Sequence, residues 1–239
     1  MKSIDILAIG VHPDDVELSC AGTLLKHIAE GKTAGILDLT LGELGTRGSA
    51  ELRTIEAMNA AKILGITFRD QLTMADGFFS NDEQHQRLLI QKIRQYRPRI
   101  VLANAVSDRH PDHGRASKLI SDACFYSGLR RISTQLDGAE QEAWRPEVIY
   151  HYIQDRYIKP DFVVDVTPYV AKKLEAIKAF SSQFWNPDST EPATAISRPD
   201  FLDMVEARMR VLGRDAGVEF AEGFTVERVP LVDNLFSLK

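Results

Sequence analysis

The chain has 239 residues, of which 44% are hydrophobic, 26% charged and 8% aromatic. This ordinary globular composition excludes collagen-like, disordered and disulfide-scaffold proteins, and the length suits one domain over residues 1–239. The net charge of −5 provides no overall positive field, so nucleic acid and anionic membranes are disfavoured as partners.

The first half of the chain alternates between apolar runs and amphipathic segments. Strands are predicted over residues 4–11, 34–40 and 100–104. Helices are predicted over residues 20–30, 49–64 and 84–96, with a further helix after His113. The helix over residues 49–64 repeats apolar side chains at helical spacing through Leu52, Ile55 and Met58.

After Phe125 the pattern weakens into a polar, irregular stretch. Strands are predicted beyond it over residues 148–153 and 162–166, and helices over residues 170–180 and 199–212. The two helices are separated by a loop, residues 182–199, that is long enough to have a function. Alternating strands and helices imply right-handed crossovers, so we expect an α/β, Rossmann-like fold: a doubly wound, mostly parallel sheet with helices on both faces.

Cys20 and Cys124 are the two cysteines, too few for a disulfide framework or a cysteine-rich zinc site. We expect both to be small core residues of a protein in a reducing compartment. The amino-terminal apolar run is interrupted by Asp5 and lacks a cleavage site, and no later stretch is long enough to span a bilayer. The sequence therefore predicts a cytoplasmic protein without a membrane partner.

Two similar clusters follow two of the predicted strands. His12-Pro13-Asp14-Asp15 comes directly after the first strand, and His110-Pro111-Asp112-His113 follows the strand at 100–104. Because loops at the carboxyl ends of parallel strands converge on one crevice, these clusters are expected to meet. Each cluster alone would also suit a helix start, with proline in the first turn and acids at the positive end of the dipole.

Together, the two clusters favour a metal site with hydrolytic chemistry. Two neutral imidazoles and one carboxylate are a common ligand set for catalytic zinc with an open position. A carboxylate that stays off the metal can act as general base, and a further histidine can stabilise an oxyanion. The spacing of the residues does not decide which member of each cluster has which role.

The segment from His12 to Glu17 and the segment from His110 to His113 resemble the PIG-L/LmbE-like family of zinc-dependent N-acetylglucosamine deacetylases. The resemblance implies that His12, Asp15 and His113 bind one Zn²⁺ per chain. It also implies that Asp14 is the general base and that His110 is the oxyanion partner.

The chain departs from the commonest motif of that family at one point. The family places a glutamate immediately after the second aspartate, whereas this chain has Val16 and then Glu17. The departure leaves the implied ligands in place. Iron, cobalt or manganese would also suit a site with two nitrogen ligands and one oxygen ligand.

Four further stretches resemble one branch, the bacillithiol-biosynthesis deacetylases that act on N-acetylglucosaminyl malate: DLTLGELGTRGSAELR, MADGFF, SDRHPDHGRAS and VEARMRVLGRDAGVEFAEGF. They contain four candidates for holding sugar hydroxyls or malate carboxylates, namely Glu43, Arg53, Asp76 and Arg109. Each of the four is alternatively an ordinary surface charge. The resemblance also implies a homo-oligomer, a trimer or hexamer.

Other interpretations of the sequence remain open. The aglycone of the substrate can be another thiol precursor, a chitooligosaccharide or a lipid. A non-catalytic Rossmann-like module that binds a sugar or nucleotide is an alternative of another class, but binding alone would not need Asp14 and His110 beside three ligands. The glycine-rich run from Gly42 to Gly48 lacks the spacing of a phosphate loop and is interpreted as a bend beside the site. Three other histidines are expected to be structural or solvated: His27, His85 and His151.

Overall fold

The computed structural model describes residues 3–237, and in that range nine strands and seven α-helices follow one another along the chain. The strands are β1 (Ile6–Gly10), β2 (Ala34–Asp38), β3 (Phe68–Gln71), β4 (Ile100–Ala103), β5 (Gln135–Leu136), β6 (Ala139–Glu140), β7 (Val148–Tyr152), β8 (Phe162–Asp165) and β9 (Ala221–Val226). The helices are α1 (Asp15–Ser19), α2 (Ala21–Ala29), α3 (Ala50–Leu64), α4 (Glu83–Tyr96), α5 (Pro111–Ser127), α6 (Val170–Lys178) and α7 (Phe201–Arg214).

Seven of the strands form one sheet in the order β3-β2-β1-β4-β7-β9-β8. Each pairing from β3 through to β7 is parallel, whereas β9 is antiparallel to both of its neighbours. β5 and β6 form a separate hairpin. The prediction of a mostly parallel α/β sheet is therefore confirmed.

The central strand β1 shows why helices cover both faces of this sheet. All five of its residues are buried, as expected of a parallel strand between two helical layers. Ile6 and Ala8 pack in a core with side chains from α1, α2, α3, α6 and α7. Leu7 and Ile9 point to the opposite face and pack in a second core with α4 and α5.

The chain adds strands on one side of β1 first and then continues on the other side with β4. The loops that carry the predicted site residues lie at this change of direction. From β1 the chain proceeds to β2 and β3 on one side, while β4 and β7 continue the sheet on the other. β1 and β4 are direct neighbours, with Ile6 opposite Ile100. Ligands of open α/β sheets bind outside the carboxyl ends of the strands at such a switch point. The loops that follow β1 and β4 both lie there.

The short hairpin strands β5 and β6 were not predicted, and two strands of the seven-stranded sheet, β3 and β9, were missed because charged residues interrupt their apolar pattern. In β3, Arg69 pairs with Asp38 of β2, its Nε lying 2.6 Å from the carboxylate. In β9, Glu222 is buried beside Gly223. Each charged side chain is paired with an opposite charge from another segment, and this allows it to be buried within a strand. Such pairing between distant residues leaves no periodic signal in the sequence.

The apolar repeat of α3 correctly predicted a helix, but it does not mark the buried face. Leu52, Ile55 and Met58 are 41%, 59% and 44% exposed. The buried face instead carries small residues, Ala57 and Ala60 among them, which allow close packing.

Both cysteines are buried and free, as predicted. Among the described residues, no helix combines the length and apolarity needed to cross a membrane.

A buried ion pair ties β9 to α6 and α2. The Lys173 ammonium lies 2.6 Å from Oε1 of Glu222, and each side chain is 1% exposed. The same carboxylate accepts hydrogen bonds from the backbone N–H groups of Gly22 and Thr23 at 2.9 and 2.7 Å. Glu222 thus satisfies two donors in the first turn of α2 that have no partner within the helix.

We predict that Lys173→Ala lowers the free energy of unfolding by about 3–5 kcal/mol, because it leaves the Glu222 carboxylate buried without a counter-charge. Urea denaturation measures the change. Lys172→Ala is the matched control, since that neighbouring side chain is exposed and its loss is expected to change stability by less than about 0.5 kcal/mol. Equal effects of the two substitutions would contradict the role given to the pair.

Candidate active site

A cavity of about 300 Å³ opens at the carboxyl ends of β1 and β4. Eight of the nine predicted site residues line it: His12, Asp14, Asp15, Arg53, Asp76, Arg109, His110 and His113. The ninth, Glu43, is exposed and lies outside this lining, where its carboxylate accepts a hydrogen bond from the Asp76 backbone N–H at 2.8 Å. The fold therefore brings together residues that are almost 100 positions apart in the sequence.

Three imidazole rings meet in the cavity. The ring centroid of His12 lies 4.8 Å from that of His110 and 5.7 Å from that of His113, and the His110 and His113 centroids are 5.3 Å apart. One nitrogen from each of the three rings lies within 4.8 Å of the others, which is close enough to share a metal ion.

The carboxylate of Asp15 is held in one orientation by several donors. Its Oδ2 accepts two backbone N–H bonds from the β1 loop, at 3.0 and 3.1 Å, and a third bond from Asn104 Nδ2 at 2.9 Å. Its Oδ1 accepts from Gln154 Nε2 at 3.1 Å and lies 3.2 Å from His113 Nε2. Burial alone would raise the pKa of Asp15, but the charge of His113 and these hydrogen bonds hold it well below its usual value.

His12 and His113 are each bound by a second carboxylate on the far side of the ring. His113 Nδ1 lies 2.5 Å from Asp108, and its Nε2 faces Asp15. His12 Nε2 lies 2.9 Å from Asp76, and its Nδ1 lies 3.9 Å from Asp15. Burial opposes protonation of His113, but the charge of Asp15 and the bond to Asp108 outweigh it and raise its pKa to about 10. Carboxylates placed in this way orient histidines that bind metals.

The positioning residues Asn104, Asp108 and Gln154 were not predicted. Asn104 follows β4 and Gln154 follows β7, so both lie at the strand ends that form the crevice. That placement was a usable signal, because polar residues there face the same edge of the sheet. Asp108 had no comparable signal, since only the fold shows which acid near His113 contacts its ring.

Other donor sets overlap with the predicted ligands. His12, His110 and His113 form one set, and His12 with Asp76 and Asp112 forms another. The carboxylates of the second set already have partners: Asp76 accepts from the Leu44 N–H at 3.0 Å, and Asp112 accepts from the Gly77 N–H at 2.8 Å.

Asp14 has a strained backbone and a perturbed carboxyl group. Its φ of 126° and ψ of −21° lie in a region that non-glycine residues rarely adopt. The side chain does not cap α1, and although only 6% exposed it lines the cavity. Burial raises its pKa to about 7, against the opposing charge of Arg53. A carboxyl group that exchanges a proton near neutral pH is suited to acid–base chemistry.

His110 is the N-cap of α5, and its Nδ1 accepts the Asp112 backbone N–H at 3.3 Å. Burial and the nearby charges of His12 and His113 lower its pKa. Because Nδ1 is used as an acceptor, Nε2 is the nitrogen of this ring that is available as a donor.

The glycine-rich run after β2 bends around Arg53. The Arg53 guanidinium is buried and donates to Gln183 Oε1. Gly42 has a φ of +65°, and a Cβ there would collide with the guanidinium; a Cβ at Gly45 would lie 2.8 Å from Arg53 Nη2. The run therefore makes room for an arginine beside the site, as the interpretation of a bend anticipated.

The outer wall of the cavity comes from the carboxyl-terminal half of the chain. The predicted loop over residues 182–199 contributes Gln183 and residues 194–196, so it borders the site. Asp155 and Arg208 also line the cavity, and neither was singled out in the sequence. Arg109 Nε donates to Asp155 at 2.5 Å.

Comparison with known proteins identifies the chain at the level of a family. A family model described as GlcNAc-PI de-N-acetylase (PIG-L) matches residues 7–124. The chain is 27% identical over 234 residues to a diacetylchitobiose deacetylase of Thermococcus kodakarensis, covering 91% of this chain and 81% of that protein. It is also 27% identical over 195 residues to a probable N-acetyl-α-D-glucosaminyl L-malate deacetylase 2 of Bacillus anthracis, covering 75% of this chain and 81% of that protein.

The fold has a close counterpart among solved structures. The conserved protein TT1542 from Thermus thermophilus superposes with a TM-score of 0.85 at 35% identity, covering 96% of this chain and 98% of that one. The chain belongs to the PIG-L family of deacetylases, whose members are metal-dependent. It is a hydrolase that acts on N-acetyl amides of N-acetylglucosamine-type substrates.

We predict that Asp14→Gly is more stable than Asp14→Ala by about 1–3 kcal/mol, because both lose the carboxylate and only glycine relieves the positive φ. Unfolding in urea compares the two variants directly. The same pair of substitutions at Asp203, in the first turn of α7, is the control, and there alanine is expected to be the more stable residue. An Asp14→Ala variant as stable as Asp14→Gly would show that the loop relaxes and stores no strain.

Proposed function

We propose that the protein is a zinc-dependent deacetylase with N-acetylglucosaminyl malate as its favoured substrate and His12, Asp15 and His113 as the ligands of one Zn²⁺. The observation that carries the proposal is the paired orientation of the two histidines. Each has a carboxylate on one ring nitrogen, Asp76 or Asp108, and turns the other nitrogen toward Asp15. This arrangement is typical of a metal centre with its supporting residues in place.

The donor set fits a catalytic divalent cation. Two imidazole nitrogens and one carboxylate oxygen are a usual zinc ligand set that leaves a position open for substrate or water. The bound cation supplies Lewis-acid activation of water and of the amide carbonyl. Asn104 and Gln154 keep the Asp15 carboxylate oriented toward the two histidines.

Asp14 and His110 supply the proton transfer and charge stabilisation in this proposal. Asp14 lines the cavity and takes the proton of the attacking water, then returns it to the amine nitrogen as the amide bond breaks. His110 donates its Nε2 proton as a hydrogen bond to the oxyanion that develops on the acetyl carbonyl oxygen.

The malate assignment rests on the Bacillus anthracis relative and on the arginines in the cavity. Arg53 and Arg109 are positioned to bind carboxylates of an aglycone, and Arg53 is 6% exposed, which strengthens a charge-assisted bond. A neutral disaccharide is the second candidate, because the Thermococcus kodakarensis relative matches more of the chain. A homo-oligomer, trimer or hexamer, and a cytoplasmic location stay predictions.

We predict that His12→Ala, Asp15→Ala and His113→Ala each lose most of the bound metal, whereas His110→Ala retains it. Elemental analysis of the purified proteins measures occupancy, expected at about one ion per chain in the wild type. Asp108→Asn is expected to weaken metal binding by about 10- to 100-fold, since it removes the carboxylate that orients His113. The exposed Asp203→Asn is its control. Loss of metal from His110→Ala would instead support the set of three histidines.

We predict that Asp14→Asn keeps its metal but lowers kcat for deacetylation by about 10²-fold or more, the effect of losing a general base. Acetate release is measured with N-acetylglucosaminyl malate, N,N′-diacetylchitobiose and N-acetylglucosamine, and wild-type kcat/KM is expected to be highest for the malate conjugate. A metal-free Asp14→Asn protein would mean that the two aspartates have exchanged roles. Preference for the disaccharide would replace the malate assignment and leave the deacetylase chemistry intact.

A further inference from the structure

We propose that Arg208 and Arg109, bridged by Asp155, form a binding subsite for a carboxylate of the aglycone at the outer wall of the cavity. The inference rests on the proposed function, because it concerns which N-acetylglucosaminide the enzyme selects. Arg208 is the new element, since it belongs neither to the metal ligands nor to the arginines identified from the sequence.

The three side chains come from separate elements and meet at the cavity. Arg208 lies on α7, Arg109 precedes His110 in the loop after β4, and Asp155 follows β7. Arg109 Nε donates to Asp155 Oδ2 at 2.5 Å, and Arg208 Nη2 lies 3.5 Å from Asp155 Oδ1. The Asp155 carboxylate thus faces two guanidinium groups at this wall.

Arg208 has hydrogen-bonding capacity that the described part of the chain does not use. Its side chain is 19% exposed, yet none of its five N–H donors hydrogen-bonds to a residue in the range 3–237. The contact with Asp155 at 3.5 Å is an ion pair too long for a good hydrogen bond. A partly desolvated guanidinium with free donors binds a carboxylate favourably, and it can do so through two parallel N–H bonds.

The position of Arg208 on α7 explains why it points inward. Val205 and Leu212 are buried on this helix, and Arg208 lies three residues after the first and four before the second. Met204 and Val211 lie at the same spacings on the other side and are exposed, so Arg208 stands at the border of the buried face, from which it lines the cavity. Arg210 lies on another face, where it is 54% exposed and pairs with Glu219.

An ordinary structural ion pair is the competing explanation, and the geometry disfavours it. A pair built for stability would bring Arg208 into hydrogen-bonding range of Asp155 or satisfy its donors with backbone carbonyls, as Arg94 does with the carbonyl oxygens of Ser127, Ile132 and Leu129. Asp155 instead bonds most closely to Arg109. Asp155 therefore brings the two guanidinium groups close together while leaving the donors of Arg208 available.

The test compares Arg208→Gln with Arg210→Gln in the metal-loaded enzyme. For each variant, kcat/KM is measured for N-acetylglucosaminyl malate and for neutral N,N′-diacetylchitobiose, and their ratio is the readout. We expect Arg208→Gln to lower the ratio of malate conjugate to disaccharide by about 10-fold or more, the effect of losing a charge-assisted hydrogen bond. Arg210→Gln is expected to leave the ratio unchanged. Arg208→Lys, which keeps the charge without the planar fork, should fall between wild type and Arg208→Gln.

A second measurement uses free malate as an inhibitor of disaccharide hydrolysis. Its inhibition constant should rise by about 10-fold in Arg208→Gln and stay constant in Arg210→Gln. Equal losses for both substrates with an unchanged inhibition constant would make Arg208 a structural residue, and the deacetylase proposal would stand. Wild-type protein that hydrolyses neither substrate would refute the proposed function instead. Calorimetric titration of malate into wild type and Arg208→Gln would then decide the subsite alone, because equal binding to both proteins would overturn it.

Discussion

β1 and β4 pair in parallel, from Ile6 opposite Ile100 to Ala8 opposite Leu102, and this pairing brings the two histidine clusters together. Each strand ends at the same edge of the sheet, so the loop after β1 and the loop after β4 face each other across one crevice. Alternate side chains of β1 anchor the pairing in two cores. A rigid, fully buried strand thereby fixes His12 and Asp15 against residues that follow almost 100 positions later.

The pKa values of the side chains in the crevice are shifted because several carboxyl and imidazole groups lie close together in a partly buried space. Asp15 stays ionised because several donors and His113 stabilise its charge, while Asp14, one residue earlier, holds its proton to higher pH since burial dominates there. Adjacent carboxyl groups with opposite pKa shifts are suited to different roles, one as a ligand and one as a proton carrier. The Asp14 side chain makes no capping hydrogen bond to α1 and lines the cavity.

The inner part and the outer wall of the cavity come from different parts of the chain. The family match ends at residue 124, and it includes both histidine clusters, Arg53, Asp76 and Arg109. The outer wall, with Gln154, Asp155, Gln183 and Arg208, follows that boundary. Gln183 contacts Arg53 and Asp155 contacts Arg109, so the later segments also position arginines of the matched region.

Much of the fold and the position of the site could be predicted from the sequence, because local periodicity and two short motifs carry that information. The apolar runs predicted β1, β2 and β4, and the motifs after β1 and β4 indicated one shared crevice. β3 and β9 were missed, since Arg69 and Glu222 are stabilised by partners distant in sequence. The contacts of Asp108, Gln154 and Arg208 were likewise decided only by the tertiary structure. Hydrogen bonds and ion pairs between segments that are far apart in the sequence depend on how those segments are arranged in the folded structure. The spacing of residues along the chain does not contain that information.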